Sequence, residues 1–291
     1  MISWDQKIVN DIALRRSVIV LGSGISANSI NAAGQRPKTW KAFLEQGCNQ
    51  VADVRIQREV KKLISQNDLL TACEVIKIAL GENSFHQLVI NEYQNPGYQP
   101  ADIHKTIYEL DSKIVITPNF DTIYDRYASA TSNGTISIKK HTDDDIAELL
   151  RMNSRLILKI HGSVETPNKL IFTRASYAQA RHDYRAMYEV LDALLLTHTF
   201  LFLGCGTNDP DIRLLLEDYR HRFRYSGTHY FVLPKSSLAL TVKNVLESSM
   251  KIKILEYAIP GGSHHLLEDS LKILSQQVDL KRKEIAGTQD W

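Results

Sequence analysis

The sequence predicts an α/β protein whose sheet is doubly wound, mainly parallel and covered by helices on both faces. Three observations predict it. Short apolar, β-branched runs recur along the chain, helical patterns separate them, and the first run ends in a glycine turn. Near-continuous apolar runs suit parallel strands buried on both faces. Strands that alternate with helices suit a doubly wound order.

The runs, in order, are Ser17-Val-Ile-Val-Leu, Lys113-Ile-Val-Ile-Thr, Thr135-Ile-Ser-Ile-Lys, Arg155-Leu-Ile-Leu-Lys-Ile, Thr199-Phe-Leu-Phe-Leu, His229-Tyr-Phe-Val-Leu and Lys251-Ile-Lys-Ile-Leu. Each is expected to be a strand of one Rossmann-like sheet. The stretch 39–110 has no good strand. Leu69, Cys73, Ile76 and Leu80 recur there at helical spacing, so a mostly helical insertion or small helical subdomain is expected. Asn95-Pro-Gly-Tyr-Gln-Pro is its turn-rich exit. His264 to Val278 reads as a closing amphipathic helix, and 286–291 as a flexible tail. With no repeat and no low-complexity linker, residues 1–291 read as a single domain carrying that insertion.

Composition narrows the function classes. The chain of 291 residues is 43% hydrophobic and 23% charged, with a formal charge of +2. That balance argues against nucleic acid as a direct partner, which usually requires a basic stripe. His221-Arg-Phe-Arg and Lys281-Arg-Lys read as solvated helix ends. Cys48, Cys73 and Cys205 lie far apart, without the spacing of a zinc site or a disulfide framework, so no metal is expected and a reducing cytoplasm is. The N-terminal segment lacks signal-peptide features, and no apolar run is long enough to span a membrane.

Chemistry is expected where strands end. Gly22-Ser-Gly-Ile-Ser directly follows the first run. Glycines there allow a sharp turn and close approach to a diphosphate, so Gly22, Ser23, Gly24, Ile25 and Ser26 are candidate dinucleotide contacts. Ala27 stands where the usual fingerprint has a third glycine. The acidic residue about twenty positions on, Glu45, lies in a helical pattern. An ordinary dehydrogenase fingerprint is therefore excluded. The second run ends in Thr117-Pro-Asn-Phe-Asp. Asn119 can donate and accept hydrogen bonds over the crevice, and Asp121 either lines it or only caps the following helix. The fourth run ends in His161-Gly, and the fifth in Gly204-Cys-Gly-Thr-Asn-Asp. In the last turn Asn208 or Asp209 is placed to cap a helix.

Taken in this order, Gly22-Ser-Gly-Ile-Ser, Thr117-Pro-Asn-Phe-Asp, His161-Gly and Gly204-Cys-Gly-Thr resemble the sirtuin family. Its pattern runs G-A-G-I-S, T-Q-N-x-D, H-G and a G-T-S type loop. Ile254-Leu-Glu-Tyr followed by His264-His-Leu-Leu is similar in particular to sirtuin-like domains of bacterial anti-phage defence systems. The resemblance spans nearly the whole chain. It departs at Pro118, where the family has glutamine. It departs again in lacking the four zinc cysteines of deacylating sirtuins, whose module helps clasp an acyl-lysine peptide.

The resemblance implies an NAD glycohydrolase that releases nicotinamide and ADP-ribose, with NAD as substrate and Asn119 and His161 as catalytic residues. Asp121 is then expected near nicotinamide, and Gly204, Thr207 and Asn208 beside the adenosine half. It also implies a cytoplasmic, homo-oligomeric effector of abortive infection. No ATP-binding loop of G-x-x-x-x-G-K-[ST] type is present, and the chain leaves little room for a sensor domain. A separate partner is accordingly expected, a HerA-type ATPase in preference to a short Argonaute. The competing readings are a non-catalytic NAD or ADP-ribose sensor, or a protein deacylase or ADP-ribosyltransferase.

Overall fold

The computed structural model describes residues 1–152, 154–207, 209–223 and 227–288. Helix α1 (Gln6–Ala13) starts at Asp5, whose carboxylate accepts from Lys7 N, and leads into strand β1 (Ser17–Leu21). A single helical turn, α2 (Ser23–Ser26), follows at once.

The next segment is helical, with α3 (Trp40–Gln50), α4 (Val54–Ser65), α5 (Leu69–Leu80), α6 (Glu82–Tyr93) and α7 (Asp102–Glu109) before strand β2 (Ile114–Thr117). Thr39, Asp53 and Asp68 cap α3, α4 and α5 by accepting from backbone N–H groups. Helices α3 to α6 share a core of their own, built on Phe43, Cys48, Ile76, Phe85 and Leu88 and closed by Phe172. Helix α7 belongs elsewhere: it packs on the main sheet through Ile103 and Ile107.

Helix α8 (Ile123–Thr131), strand β3 (Ser137–Lys140), helix α9 (Ile146–Arg151) and strand β4 (Leu156–Lys159) come next. Helices α10 (Arg174–Asp183) and α11 (Arg185–Thr197) lead to β5 (Thr199–Leu203). The chain closes with α12 (Pro210–Arg222), β6 (His229–Pro234), α13 (Leu240–Met250), β7 (Ile252–Tyr257) and α14 (His265–Ala286).

All seven strands lie in one parallel sheet of order β3-β4-β2-β1-β5-β6-β7. Alternate strand residues face opposite layers, and both layers are apolar. Ile19, Val115, Leu201 and Val232 meet α1, α7, α8 and α14, whereas Val20, Ile116, Phe202 and Phe231 meet α9, α11, α12 and α13. This explains why the strands read as continuous apolar runs. The chain winds outward from β1 to β2 on one side and later returns to β5 on the other. The carboxyl end of β1 therefore marks the switch point, where such sheets hold ligands.

Three expectations need adjustment. β3 begins two residues later than its apolar run, because Asn133 and Gly134 take left-handed conformations and Thr135 N bonds back to Ser132 O. The closing helix continues to Ala286, since Leu280-Lys-Arg-Lys-Glu-Ile contains only helix-compatible residues. Arg282 is not merely a solvated end: its guanidinium donates to the carbonyls of Leu110 and Asp111, fastening α14 to the loop before β2. Within the expected tail, Thr288 donates its hydroxyl to Glu284 O, while 289–291 lie outside the described residues.

Candidate active site

A cavity of about 560 Å³ opens over the carboxyl ends of β1, β2, β4 and β5, a size usual for small-molecule sites. Gly22, Ser23, Ser26, Asn119, Asp121 and His161 all line it. Residues from three separate sequence motifs thus converge on one space. Gly24, Ile25, Gly204 and Thr207 do not line it, and Asn208 lies outside the described residues.

The first glycine loop is shaped by its neighbour as much as by any ligand. A Cβ on Gly22 would collide with Gly204 O and come within 2.6 Å of Cys205 Cα. On Gly24 it would lie 2.9 Å from Gly204 O. Gly204 itself adopts φ +64° and lies back to back with the Gly24–Ile25 peptide. Backbone bonds seal this contact: Gly22 N to Leu203 O at 2.9 Å and Gly24 N to Gly204 O at 2.9 Å. Ile25 N bonds to Gly22 O, so these three amides are already committed within the fold.

Ser26 connects the loop to the next motif. Its hydroxyl donates to Asp121 Oδ2 at 2.8 Å and accepts from Asn119 Nδ2 at 3.1 Å. A hydroxyl has one proton, so donation to the carboxylate forces it to accept from the amide. That fixes the Asn119 side chain with its NH₂ toward Ser26. Its Oδ1 has no hydrogen-bond partner among the described residues and belongs to a cavity-lining side chain. Asp121 Oδ1 accepts from Ile123 N at 3.0 Å. Asp121 therefore both lines the cavity and caps the start of α8, joining the two roles the sequence left open.

Beneath these groups lies a charge that the sequence reading passed over. Lys159 is buried at the end of β4, and its ammonium donates to Asp121 O and to Asp125 Oδ2, each at 2.6 Å. Burial pushes the Asp125 carboxyl up, and the ammonium beside it opposes the shift. The pair ties the β2 end, which carries Asn119, to the β4 end, which carries His161. The one signal available was a lysine inside an apolar run.

His161 is 2% exposed. Its carbonyl accepts from Ile171 N at 3.1 Å, and its Nδ1 lies 3.3 Å from the Tyr177 hydroxyl. Gly162 follows with φ +88°, and a Cβ there would lie 3.1 Å from Lys169 O and 3.2 Å from His141 Cε1. Only glycine lets the chain turn tightly behind the histidine.

The far wall comes from the helical segment and α10. Trp40, Leu69, Tyr93, Phe172, Arg174 and Tyr177 contribute to it. Arg174 donates to Asp68 Oδ1 and Thr71 Oγ1, each at 2.7 Å, which joins α10 to α5 at the rim. Buried Glu92 accepts from Lys38 N and Lys38 Nζ and so holds the loop entering α3. Cys205 also lines the cavity, but burial pushes its thiol far up, and it remains a protonated, non-nucleophilic group. Asp209 lines the cavity and accepts from Ile212 N at 3.1 Å, capping α12. Glu45 is exposed on α3, away from the cavity.

The doubly wound sheet thus carries a glycine turn at its switch strand, and an asparagine and a histidine at two further strand ends. Residues 113–255, just under half of the chain, match the SIR2-like domain model. The match runs from β2 into β7, and so includes Asn119 and His161.

Among curated proteins, the chain is similar to NAD(+) hydrolase ThsA of Acinetobacter baumannii (strain 532279). Identity is 24% over 235 residues, or 80% of this chain and 45% of that protein. NAD(+) hydrolase ThsA of Cytobacillus dafuensis is 23% identical over 74% of this chain and 40% of its own length. Defense-associated sirtuin 2 of Bacillus subtilis is 24% identical over 52% of this chain and 15% of its own. The chain thus spans less than half the length of these relatives. No helix of the described residues is long and apolar enough to cross a membrane.

Proposed function

We propose that the chain hydrolyses NAD, with water replacing nicotinamide at C1′ of the adjoining ribose. The observation that carries this reading is the convergence of Gly22, Ser23, Asn119, Asp121 and His161 on one cavity. The similarity to proteins named NAD(+) hydrolase supports it.

The chemistry asks little of the leaving group. The glycosidic C1′–N bond breaks with both electrons passing to a cationic pyridinium, so nicotinamide departs neutral and needs no acid. This differs from sugar cleavage by a carboxyl pair. Water adds at C1′ and one proton is released, giving ADP-ribose. Asn119, held by Ser26, directs the water or a ribose hydroxyl through Oδ1. His161 takes the proton, as an imidazole near neutrality is suited to do. Gly22, Ser23 and Ser26 line the turn for the diphosphate, with Gly24, Ile25 and Gly204 packed behind it. Asp121 faces the nicotinamide end.

The biological setting proposed with this activity is anti-phage defence by abortive infection, in the cytoplasm. The chain would act as a homo-oligomer with a HerA-type ATPase in preference to a short Argonaute. Support comes from the resemblance to two-component defence systems and from a relative named as defence-associated.

The test is nicotinamide release from NAD by the purified chain, with and without that ATPase. Release should fall about 10²–10⁴-fold in His161→Ala, the scale of a lost general base. Equal release by wild type and variant would overturn the assignment. Tight ADP-ribose binding without any release would indicate a sensor.

A further inference from the structure

We propose that Lys38 supplies the positive charge that holds the diphosphate of NAD, reaching the cavity from the loop that enters α3. The inference rests on the reading of this cavity as an NAD site, and it names a binding cation that the glycine turn itself lacks.

A diphosphate is doubly anionic, and taking it out of water requires donors or cations in compensation. The turn supplies little of either. The amides of Gly22, Gly24 and Ile25 are committed to the carbonyls of Leu203, Gly204 and Gly22. Helix α2 is only four residues long, too short to sum an appreciable dipole. Compensation must therefore come from elsewhere in the lining. Among the described residues, Lys38 and Arg174 are the lysine and arginine side chains that line the cavity. They differ in where the counter-charge lies. Arg174 is tied to Thr71 and Asp68, and Asp68 itself lines the cavity, so that pair presents both signs to a ligand. The partner of Lys38 is Glu92, which is 3% exposed and is not part of the lining. The cation stands in the wall, and its carboxylate lies behind it.

Glu92 also fixes the lysine. Its Oε1 accepts from Lys38 N at 2.9 Å and its Oε2 from Lys38 Nζ at 2.6 Å, so one carboxylate grips both backbone and side chain. The Tyr98 hydroxyl donates to the same Oε1 at 3.3 Å. Thr39 follows as the cap of α3, accepting from Ala42 N, and Trp40 beyond it lines the cavity. An ammonium carries three protons. Glu92 takes one, and the others have no acceptor among the described residues. The side chain is 40% exposed, so those protons are open to a ligand. An ammonium held in this way donates charge-assisted hydrogen bonds to phosphate oxygens, with little further ordering on binding.

The test is calorimetric titration of ADP-ribose into the full chain, at low and at high salt, for wild type, Lys38→Gln and Lys38→Arg. Glutamine can still donate to Glu92 while removing the charge. Affinity for ADP-ribose should fall about 10–100-fold in Lys38→Gln, the scale of one hydrogen bond to a charged group. Lys38→Arg, which keeps the charge, should retain most of the affinity. Wild-type affinity should weaken as salt rises, and Lys38→Gln should respond less steeply. Equal affinity in wild type and Lys38→Gln would overturn the proposal. So would an equal loss in the glutamine and arginine variants, which would make Lys38 a packing element of its loop. If Lys38→Gln does not fold, the wild type still decides, because affinity indifferent to salt would overturn the proposal. Binding needs no turnover, so the outcome is separate from hydrolysis. A chain that binds ADP-ribose through Lys38 but releases no nicotinamide contradicts the hydrolase reading alone, whereas no binding of ADP-ribose by wild type contradicts both.

Discussion

Ser26 determines which way Asn119 faces. Its single hydroxyl proton goes to Asp121, so the Asn119 amide must donate to it, and the carbonyl oxygen is left for a ligand. Ser26→Ala leaves an amide and a carboxylate without their shared partner. A loss of about 1–3 kcal/mol in urea unfolding is expected, together with slower nicotinamide release. The sequence marked Ser26 as part of a phosphate turn. It could not show this second role, because Asp121 is 95 positions away. The glycines are similar. Gly24→Ala should destabilise by about 1–3 kcal/mol, because the new methyl meets the Gly204 backbone, which cannot move aside as a flexible side chain would. The motif suggested a glycine for a ligand, whereas the structure adds a packing reason from a turn 180 residues further along the chain.

Strand ends made most of the site legible at the level of elements. The second and fourth apolar runs stop at polar groups, and in a parallel sheet strand ends share one edge, so Asn119 and His161 could be placed together without a structure. Residues carried by helices were harder to place. Tyr177, Arg174 and Trp40 reach the cavity from segments whose sequences show only helical spacing, and spacing does not say where a helix docks. Lys159 escaped notice for another reason. Its position within a strand gave no sign that the strand end would be buried against Asp125. Lys159→Met removes one member of a buried pair and should destabilise by about 3–5 kcal/mol in urea unfolding. A companion Asp125→Leu, removing the stranded carboxylate, should recover much of that loss.

For the whole molecule, the fold class followed from alternation alone, and all seven runs became strands of one sheet. Its histidines add a dependence on pH. Burial, with His161 nearby, holds His141 down at about 4, and burial holds His229 down at about 3. Both stay neutral in the native state, while the unfolded chain takes up protons below about 6.5. The unfolded state therefore binds more protons across that window. Stability is full above about 6.5 and declines as pH falls toward 4. Thermal melts from pH 7 to 4 should show this decline, and His141→Leu should flatten it. Ligand linkage acts on the whole molecule too. ADP-ribose at about 100 times its Kd should add about 2.7 kcal/mol of stability, seen as a rise in melting temperature.

The central claim is that this cavity splits NAD with water, using an asparagine and a histidine brought in by two strand ends. The most direct measurement is the amount of nicotinamide and ADP-ribose formed from NAD by wild type and by Asn119→Ala, with binding of NAD measured alongside. The account predicts equal amounts of the two products from wild type without any acylated peptide, and their loss in the variant while NAD still binds. Undiminished products from Asn119→Ala, or nicotinamide formed only when an acylated peptide is supplied, would contradict it.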